Sequence, residues 1–411
     1  MITIIERSPS IRMNGQQIDL KGQGISVMQK LGLLETVRTY CVQETGSEIV
    51  DGNGKRLMKF GVTPAGEKPQ GFTNEFEFMR GDMVNMFVDA TKKERAKAEE
   101  KGVGNGGLSY EFGKTVTALH PSKEKEGVDV QFSDSQTKHY DLVIAADGQG
   151  SRTRRLAFGE STSAASFKSL GIHAAFYNIP RLPTEDNLAR IYVGPDNRTT
   201  MTRTGNRPQT QIYHFLLNSA PEQATRMKAT HKLPLSEQKA VWSEIYQHAG
   251  WEIPRFLAGL EKADDFYACE IAQVKMPHQV LHHGSVVLLG DAGYCPSAFT
   301  GMGTTLSLIG AYVLAGELAQ KGSSVDAALV RYDEVMRQPV EQCQKLAPGV
   351  QGKILPTSPL GIWVMNNLLW TASFFKIDWV IGRICGLLPD TSPVWALPEY
   401  PELKLDGGVA S

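Results

Sequence analysis

The chain of 411 residues carries 43 lysines and arginines against 44 aspartates and glutamates, a formal net charge of -1. A chain with such balanced charge has no global field that would attract nucleic acid or an anionic membrane, so nucleic-acid binding is disfavoured. Its five cysteines are odd in number, far apart and outside any CxxC or Cys/His pattern, so neither a metal site nor a disulfide framework is predicted. Together with an amino terminus that lacks the pattern of a secretory signal, this favours a cytoplasmic location.

The first 101 residues predict a strand, two helices and a hairpin. The stretch ITIIE at 2–6 is apolar and β-branched and runs into polar residues and Pro9, as at the end of a buried strand. Apolar residues at helical spacing predict a short helix around Ile25 to Leu34, and a longer helix is predicted at about 82–101. Between them, SEIVDGNGKRLMKF at 47–60 predicts a hairpin with its turn at 51–54.

The middle of the chain predicts two kinds of sheet. Alternating segments from about 166 to 217 predict an antiparallel sheet, and helices follow to about Leu260. The strands LVIAAD at 142–147 and VVLLGD at 286–291 are apolar almost throughout, as in a parallel sheet covered on both faces. The second strand leads through a Gly-rich turn into a long helix at 304–320. These patterns predict an α/β fold in which an antiparallel sheet is inserted into one mainly parallel layer.

An apolar stretch at 360–388 is interrupted by Asn366, Asn367, Lys376, Asp378 and Arg383. No run in it reaches the roughly 20 apolar residues that span a bilayer. A pair of amphipathic helices covering a core is favoured over a helix at a membrane surface, which stays open as an alternative.

Acidic residues follow the predicted parallel strands, whose carboxyl ends border the ligand crevice in such sheets. Glu6 ends the first strand, where it could accept hydrogen bonds from sugar hydroxyls or be a solvated surface carboxylate. The motif DGQGSRTRR supplies Asp147, Gly148, Ser151 and Arg154. Its arginines, Arg152 and Arg154, could bind phosphate or brace the loop by ion pairs, and a plain turn is also possible.

The stretch GDAGYCPSAFTGMGTT is the most specific signal in the chain. Gly290 and Asp291 end a strand, Pro296 stiffens the turn, and Gly301 and Gly303 bring bare backbone N–H groups to the start of a helix. A helix amino terminus stabilises negative charge, so this turn could face an anionic cofactor ring or a phosphate.

Together these motifs resemble the single-component flavin monooxygenases of the para-hydroxybenzoate hydroxylase class, in particular members that oxidise polycyclic natural products, including tetracycline-inactivating enzymes. The resemblance covers nearly the whole chain. It implies that Glu6 binds the adenosine ribose of FAD, that Asp291 with Gly290 holds the ribityl chain, and that Arg80 contacts FAD. The DGxxSxxR motif is implied to organise the FAD pyrophosphate region and the encounter with NADPH. The whole set expected to bind the cofactor is Glu6, Arg7, Arg80, Asp147, Gly148, Arg154, Gly290, Asp291, Pro296, Gly301, Met302 and Gly303.

Two features depart from the family pattern. Tyr294, Thr305 and Gly310 stand where members of the family commonly have a histidine, an asparagine and an acidic residue. The family also begins with a strand and a GxGxxG turn, whereas the first strand here matches its second strand. The expectation is therefore an incomplete FAD-binding layer that holds FAD poorly, through either a misplaced start or a real truncation.

The resemblance implies an enzyme in which NADPH reduces FAD and one atom of dioxygen is transferred to an apolar or aromatic organic substrate. The expected domains are two FAD-binding segments within 1–165, an antiparallel substrate domain at 166–275, a third FAD-binding segment at 276–350 and carboxyl-terminal helices at 351–411. Candidate substrate-pocket residues are Tyr192, Met201, Tyr213 and Phe215, each of which strand alternation also permits as ordinary core. A flavin oxidoreductase without oxygen insertion, a non-catalytic paralogue and a membrane-peripheral enzyme are the alternatives.

Overall fold

The computed structural model describes residues 1–67, 71–100, 102, 107–122, 126–217, 220–346, 355–377 and 395–405. Its strands are β1 (Ile2–Glu6), β2 (Gln17–Asp19), β3 (Gly46–Val50), β4 (Arg56–Phe60), β5 (Val62–Thr63), β6 (Thr73–Asn74), β7 (Glu77–Met79), β8 (Leu108–Phe112), β9 (Val116–Pro121), β10 (Val128–Phe132), β11 (Thr137–Tyr140), β12 (Val143–Ala145), β13 (Phe167–Pro180), β14 (Leu188–Val193), β15 (Arg198–Arg203), β16 (Gln209–Leu216), β17 (Tyr267–Val274), β18 (His282–His283) and β19 (Val286–Leu288). Its α-helices are α1 (Gln23–Lys30), α2 (Leu34–Tyr40), α3 (Arg80–Glu100), α4 (Arg152–Phe158), α5 (Glu160–Ser166), α6 (Pro221–Thr230), α7 (Leu235–Tyr246), α8 (Ile253–Lys262), α9 (Asp291–Tyr294), α10 (Gly303–Ala319), α11 (Val325–Cys343) and α12 (Pro359–Phe374).

A seven-stranded sheet forms the largest layer, in the order β17-β13-β16-β15-β14-β3-β4. Adjacent strands within this sheet run antiparallel to each other, except β14 and β3, which run parallel. Because side chains alternate along a strand, β13 sends Ala174 and Phe176 to one face of the sheet and Ala175 and Tyr177 to the other. Helices α6, α7 and α8 bury the second face around Trp242. The face that carries Ala174 and Phe176 borders a cavity.

The hairpin predicted at 47–60 is confirmed as β3 and β4, with the Asp51 carboxylate accepting the backbone N–H groups of Asn53 and Lys55 at 2.9 Å each. The hairpin joins the seven-stranded sheet, however, so this sheet extends beyond the range of 166–275 predicted for it. The physical reason is that β3 is buried along its whole length and pairs with a strand on each side.

The predicted parallel layer is present as two separate pieces. Strand β12 pairs in parallel with β19, and β1 pairs in parallel with β8, but no hydrogen-bonded ladder joins the two pairs in the described part of the chain. Ile2 and Ile4 of β1 are 66% and 40% exposed. The prediction that β1 is a buried strand is therefore wrong, because β1 has one neighbouring strand among those described.

The long helix predicted after the Gly-rich turn is confirmed as α10, which begins at Gly303. Its buried side chains, among them Leu306, Ile309 and Val313, belong to the largest core cluster, and the helix packs against α1 and α11. This packing fixes the first turn of α10 relative to the loop that follows β19.

Helix α12 covers the edge strand β4 and buries Ala372 beside Met58 and Phe60. The rest of the predicted helix pair, from 378 to 388, lies outside the described residues. Within the described ranges, none of the helices combines the length and apolarity needed to cross a membrane.

Candidate active site

One cavity of about 1560 Å³ lies between the open face of the seven-stranded sheet and the loops that follow β12 and β19. A ligand of drug size occupies a site of roughly 300–1,000 Å³, so this cavity has room for a cofactor ring and a substrate together. The predicted site residues that line it are Arg7, Arg80, Gly148, Met201, Tyr213, Phe215, Asp291, Pro296, Gly301 and Gly303. The predicted residues outside its lining are Glu6, Asp147, Arg154, Tyr192, Gly290 and Met302.

Asp291 stands at the turn after β19 and faces the cavity. The turn passes so close to α10 that a Cβ on Gly290 would meet Ser307 Oγ at 2.8 Å, and Gly290 has φ of 63°, so the position requires glycine. Burial raises the pKa of the Asp291 carboxyl group, against smaller lowering effects of the nearby Cys295 and Arg80. A carboxylate has about four acceptor positions, so Asp291 can still accept hydroxyl groups of a ligand.

The amino terminus of α10 opens onto the same cavity. Gly303, Thr304 and Ser307 line the cavity, and no side chain caps the helix. The N–H groups of an uncapped first turn favour a negatively charged or electron-rich ligand. Met302 contributes no side chain here, because it is 6% exposed and packs in the largest core cluster.

An ion pair that the sequence analysis did not single out lies against this turn. Lys21 Nζ is 2.9 Å from Asp19 Oδ2, and a Cβ on Gly301 would lie 2.7 Å from each of these atoms. Thr305 holds the segment in place, since its hydroxyl donates to the Lys21 carbonyl at 2.9 Å and accepts the Lys21 N–H at 3.0 Å. Glycine at 301 and threonine at 305 are therefore both needed by the neighbouring segment 19–21.

Tyr294 and Gly310, two departures from the family pattern, form a matched pair. The Tyr294 side chain is 1% exposed, and its hydroxyl lies 2.9 Å from the hydroxyl of Tyr332. A Cβ on Gly310 would lie 1.9 Å from Tyr294 Oη. A tyrosine at 294 thus excludes any side chain at 310, and the two departures compensate each other.

Three arginine side chains line the cavity without a hydrogen-bond or ion-pair partner in the described part of the chain. They are Arg7 and Arg80, which were predicted, and Arg12, which was not. A guanidinium group offers a planar fork of donors to phosphate oxygens. The three side chains therefore suit a ligand that carries phosphates. Glu6, beside Arg7, accepts the Ser8 N–H at 2.7 Å and does not line the cavity.

The DGxxSxxR motif mainly supports the loops that border the cavity. Ser151 caps α4 by accepting the Arg154 N–H at 2.9 Å, and Asp147 supports this cap by accepting the Ser151 hydroxyl and the Thr153 N–H, the latter at 2.9 Å. Arg154 is 2% exposed and donates to the carbonyls of Ala292 at 2.6 Å and Gln149 at 2.8 Å. Arg154 was predicted among the ligand contacts, but its side chain braces two loops through backbone carbonyls and forms no ion pair with a described carboxylate. Gly148, with φ of 83°, is the motif residue that lines the cavity.

The sheet supplies an apolar wall. Met201 and Phe215 line it as predicted, and Phe176 and Phe299 join them, with the Phe299 ring centroid 5.7 Å from that of Phe215. Tyr192 is a wrong prediction, because alternation along β14 sends it to the other face, where its hydroxyl donates to the Ala249 carbonyl at 2.6 Å.

A polar edge borders this wall. The Tyr213 hydroxyl donates to Gln211 Oε1 at 2.8 Å and accepts the Gln17 N–H at 3.0 Å, and burial raises the pKa of Tyr213, which keeps the phenol neutral. Arg203 lines the cavity and pairs with Glu44 at 2.7 Å and with Glu77. The pattern of alternation could have identified Phe176 beside Met201. Phe299 lies in a single 3₁₀ turn at Ala298–Thr300 and Gln17 lies in a distant strand, so no local signal marks either residue.

A cavity lined by unpaired arginines, an uncapped helix amino terminus and an apolar wall is what a flavoprotein with an organic substrate requires. The chain matches the FAD binding domain family over residues 2–347 and belongs to that family. It is an enzyme of the flavin-dependent monooxygenase kind, as the following relatives show.

The chain is 38% identical to the FAD-dependent monooxygenase asL6 of Sarocladium schorii, covering 98% of this chain and 93% of the relative. It is 30% identical to the monooxygenase CTB7 of Cercospora beticola, with the same coverage of 98% and 93%. Among solved structures, the tetracycline destructase Tet(55) superposes with a TM-score of 0.70 at 25% identity, covering 97% of this chain and 92% of that one. Klebsiella pneumoniae HpxO, complexed with FAD and uric acid, has a TM-score of 0.60 at 17% identity over 95% and 91% of the two chains and shows the shared fold.

Proposed function

We propose that this enzyme uses FAD and NAD(P)H to insert one oxygen atom from dioxygen into an apolar or aromatic organic substrate, in secondary metabolism or the modification of foreign compounds. The observation that carries the proposal is the single continuous cavity. It joins Asp291 and the amino terminus of α10 to the apolar wall of Phe176, Met201 and Phe215 without an intervening partition. A cofactor and an apolar substrate would therefore share one cavity.

The residues present fit FAD. Asp291 would accept hydroxyl groups of the ribityl chain, Arg7 and Arg80 would bind the pyrophosphate, and the first turn of α10 would face the electron-rich edge of the ring. FAD, when bound, supplies the chemistry of hydride acceptance and oxygen activation. The protein orients the two ligands and, through its apolar wall, excludes water from the space between them.

The substrate side has an apolar wall and one polar edge. Met201, Phe176 and Phe215 would contact an aromatic or aliphatic surface, while the neutral hydroxyl of Tyr213 lies at the boundary with the polar residues. This distribution supports a flat, mostly apolar substrate with few polar substituents.

The proposed role of Asp291 predicts that Asp291→Ala lowers the affinity for FAD by about 1–3 kcal/mol, because hydroxyl groups of a buried ligand lose their acceptor. Fluorescence quenching of added FAD measures the dissociation constant. Asp333→Asn is the control, since Asp333 is a buried carboxylate that does not line the cavity and accepts the Leu281 N–H at 3.1 Å. Unchanged FAD affinity in a folded Asp291→Ala protein would remove this residue from the site.

The proposed substrate wall predicts that Met201→Trp, which fills part of the cavity, weakens the binding of an apolar aromatic probe such as 2-naphthol by about tenfold. The perturbation of the flavin absorbance reports binding when FAD is supplied in excess. Tyr192→Phe should leave probe affinity unchanged, because Tyr192 lies on the opposite face of the sheet. Equal losses in the two variants would contradict the assignment of this face.

The reaction itself is tested by incubating the protein with excess FAD, NADPH or NADH, and ¹⁸O₂, against a panel of phenols and polycyclic aromatic compounds. Incorporation of one labelled oxygen atom into a product, with NAD(P)H oxidised in equal amount, is the expected result. NAD(P)H oxidation with no labelled product for any compound would instead favour a flavin oxidoreductase.

A further inference from the structure

Helix α12 and the residue that follows it present a mostly apolar surface to solvent, interrupted by the exposed polar residues Asn367 and Thr371. This surface, called here the outer face, consists of Leu360, Trp363, Val364, Leu368, Trp370, Phe374 and Phe375, which are 72%, 63%, 43%, 66%, 40%, 67% and 67% exposed. The spacing of three and four residues aligns most of them along one side of the helix. The outer face is about 22 Å long at roughly 1.5 Å per residue.

The outer face concentrates the exposed aromatic surface of the protein. Of the exposed phenylalanine and tryptophan side chains in the described ranges, Phe112 alone lies elsewhere. Helix α12 contains no charged residue in the sequence PLGIWVMNNLLWTASF. Exposed apolar patches of this extent are uncommon on soluble proteins and mark interaction surfaces.

The opposite side of α12 is already occupied. Met365 and Leu369 line the cavity, and Ala372 is buried beside Met58 and Phe60. Helix α12 therefore covers part of the core, as predicted, but its outer side is also mostly apolar, unlike that of the amphipathic helix that was expected. The packing of the inner side leaves the outer face without a partner in the described part of the chain.

Positive charge lies beside the outer face. Lys55 Nζ is 4.9 Å from the centroid of the Trp370 ring, and the exposed Lys376 directly follows Phe375. Neither lysine forms an ion pair with a described carboxylate. Each lysine near an anionic lipid surface adds about 1 kcal/mol to binding. Tryptophan favours the boundary between lipid and water, and phenylalanine occurs on the apolar face of helices that lie in it.

We propose that the outer face of α12 docks on an anionic phospholipid surface, with the helix lying in the interface. The 16 residues of α12 are fewer than the roughly 20 that cross a bilayer, so the helix lies on the membrane. A second copy of the chain fits less well, because a two-fold contact would bring Lys55 and Lys376 of both copies into one apolar interface. Since the inner side of the same helix lines the cavity, an apolar compound dissolved in the lipid would have a short path to it.

Co-sedimentation of the full chain with vesicles tests the proposal. Vesicles of phosphatidylcholine with 30% phosphatidylserine are compared with pure phosphatidylcholine at about 0.1 M salt, where charge effects are not fully screened. The triple variant Leu360→Ser/Trp363→Ser/Leu368→Ser should lower the partition coefficient by at least about tenfold, because it removes three apolar side chains from the contact. The control variant Leu182→Ser/Val325→Ser/Val330→Ser changes exposed apolar residues outside the outer face and should bind like the parent.

Charge reversal separates the electrostatic contribution to vesicle binding from the apolar contribution. Lys55→Glu/Lys376→Glu should abolish the preference for phosphatidylserine while leaving the fold, measured by circular dichroism, intact. Brominated lipids should quench the tryptophan fluorescence of the parent and quench that of Trp363→Ser less. The proposal is overturned by any of three results: no vesicle binding by the parent, equal binding by the triple variant, or loss of a dimer in the triple variant with no change in vesicle binding, which would assign the outer face to a second copy.

Discussion

Replacing Gly310 by alanine should lower the free energy of unfolding by about 3 kcal/mol, at the upper end of the usual cost of overpacking a core. The new Cβ would lie 1.9 Å from Tyr294 Oη and 3.0 Å from its ring carbon, far inside van der Waals contact. Tyr294 cannot withdraw easily, because its side chain is buried and its hydroxyl is hydrogen bonded to Tyr332 at 2.9 Å. Urea denaturation followed by circular dichroism measures the change.

The partner residue provides the control. In a Tyr294→Phe background the hydroxyl is absent, so Gly310→Ala should cost clearly less there, with a coupling energy of about 1 kcal/mol or more between the two sites. Tyr294→His/Gly310→Asp, which restores the residue types of the family pattern, should be tolerated better than Gly310→Asp alone. Gly61→Ala serves as the neutral substitution, because a Cβ at that position meets no atom within 4 Å. Equal costs of Gly310→Ala in the tyrosine and phenylalanine backgrounds would show that the clash is not the cause.

Replacing Arg154 by lysine should lower the free energy of unfolding by about 2–3 kcal/mol, since each buried carbonyl left without its donor costs about 1 kcal/mol or more. Arg154 donates to Ala292, Gln149 and Ser163 at 2.6, 2.8 and 3.0 Å, and an ammonium group cannot reach three partners that a guanidinium fork spans. Net charge is unchanged, so geometry alone accounts for the effect. Thermal and urea denaturation of the two proteins provide the measurement.

The same substitution at Arg80 is the matched comparison. Arg80 lines the cavity and is exposed, so Arg80→Lys should leave stability nearly unchanged and weaken FAD binding. Arg154→Lys should lower stability and, at temperatures below its melting temperature, leave FAD binding nearly unchanged. A fall in FAD affinity for Arg154→Lys with no loss of stability would return Arg154 to the ligand contacts. Unchanged FAD affinity for Arg80→Lys would remove Arg80 from them.

Local patterns predicted much of the site because its parts are built from short contiguous segments. The turn after β19 places Asp291, Pro296, Gly301 and Gly303 on one cavity wall, and all four were identified from a single motif. The errors arose where the direction of a side chain, rather than its position in the sequence, decides whether it lines the cavity. Tyr192 and Met302 lie in the predicted elements, but their side chains point away from the cavity.

The sequence by itself determined the kinds of element, the hairpin at 47–60 and the glycine-dependent turns, because strand alternation, turn residues and positive φ are properties of neighbouring residues. Tertiary structure alone decided that β3 and β4 belong to the large sheet, that Arg154 braces loops, and that Tyr294 requires Gly310. Each of these depends on atoms brought together from distant parts of the chain; Arg154 and Ala292, for example, are 138 positions apart. The hydrogen bond between Thr305 and Lys21 likewise joins residues that are 284 positions apart. Such contacts carry no periodic signal, since the packing of whole layers, rather than the propensity of any segment, sets which residues meet.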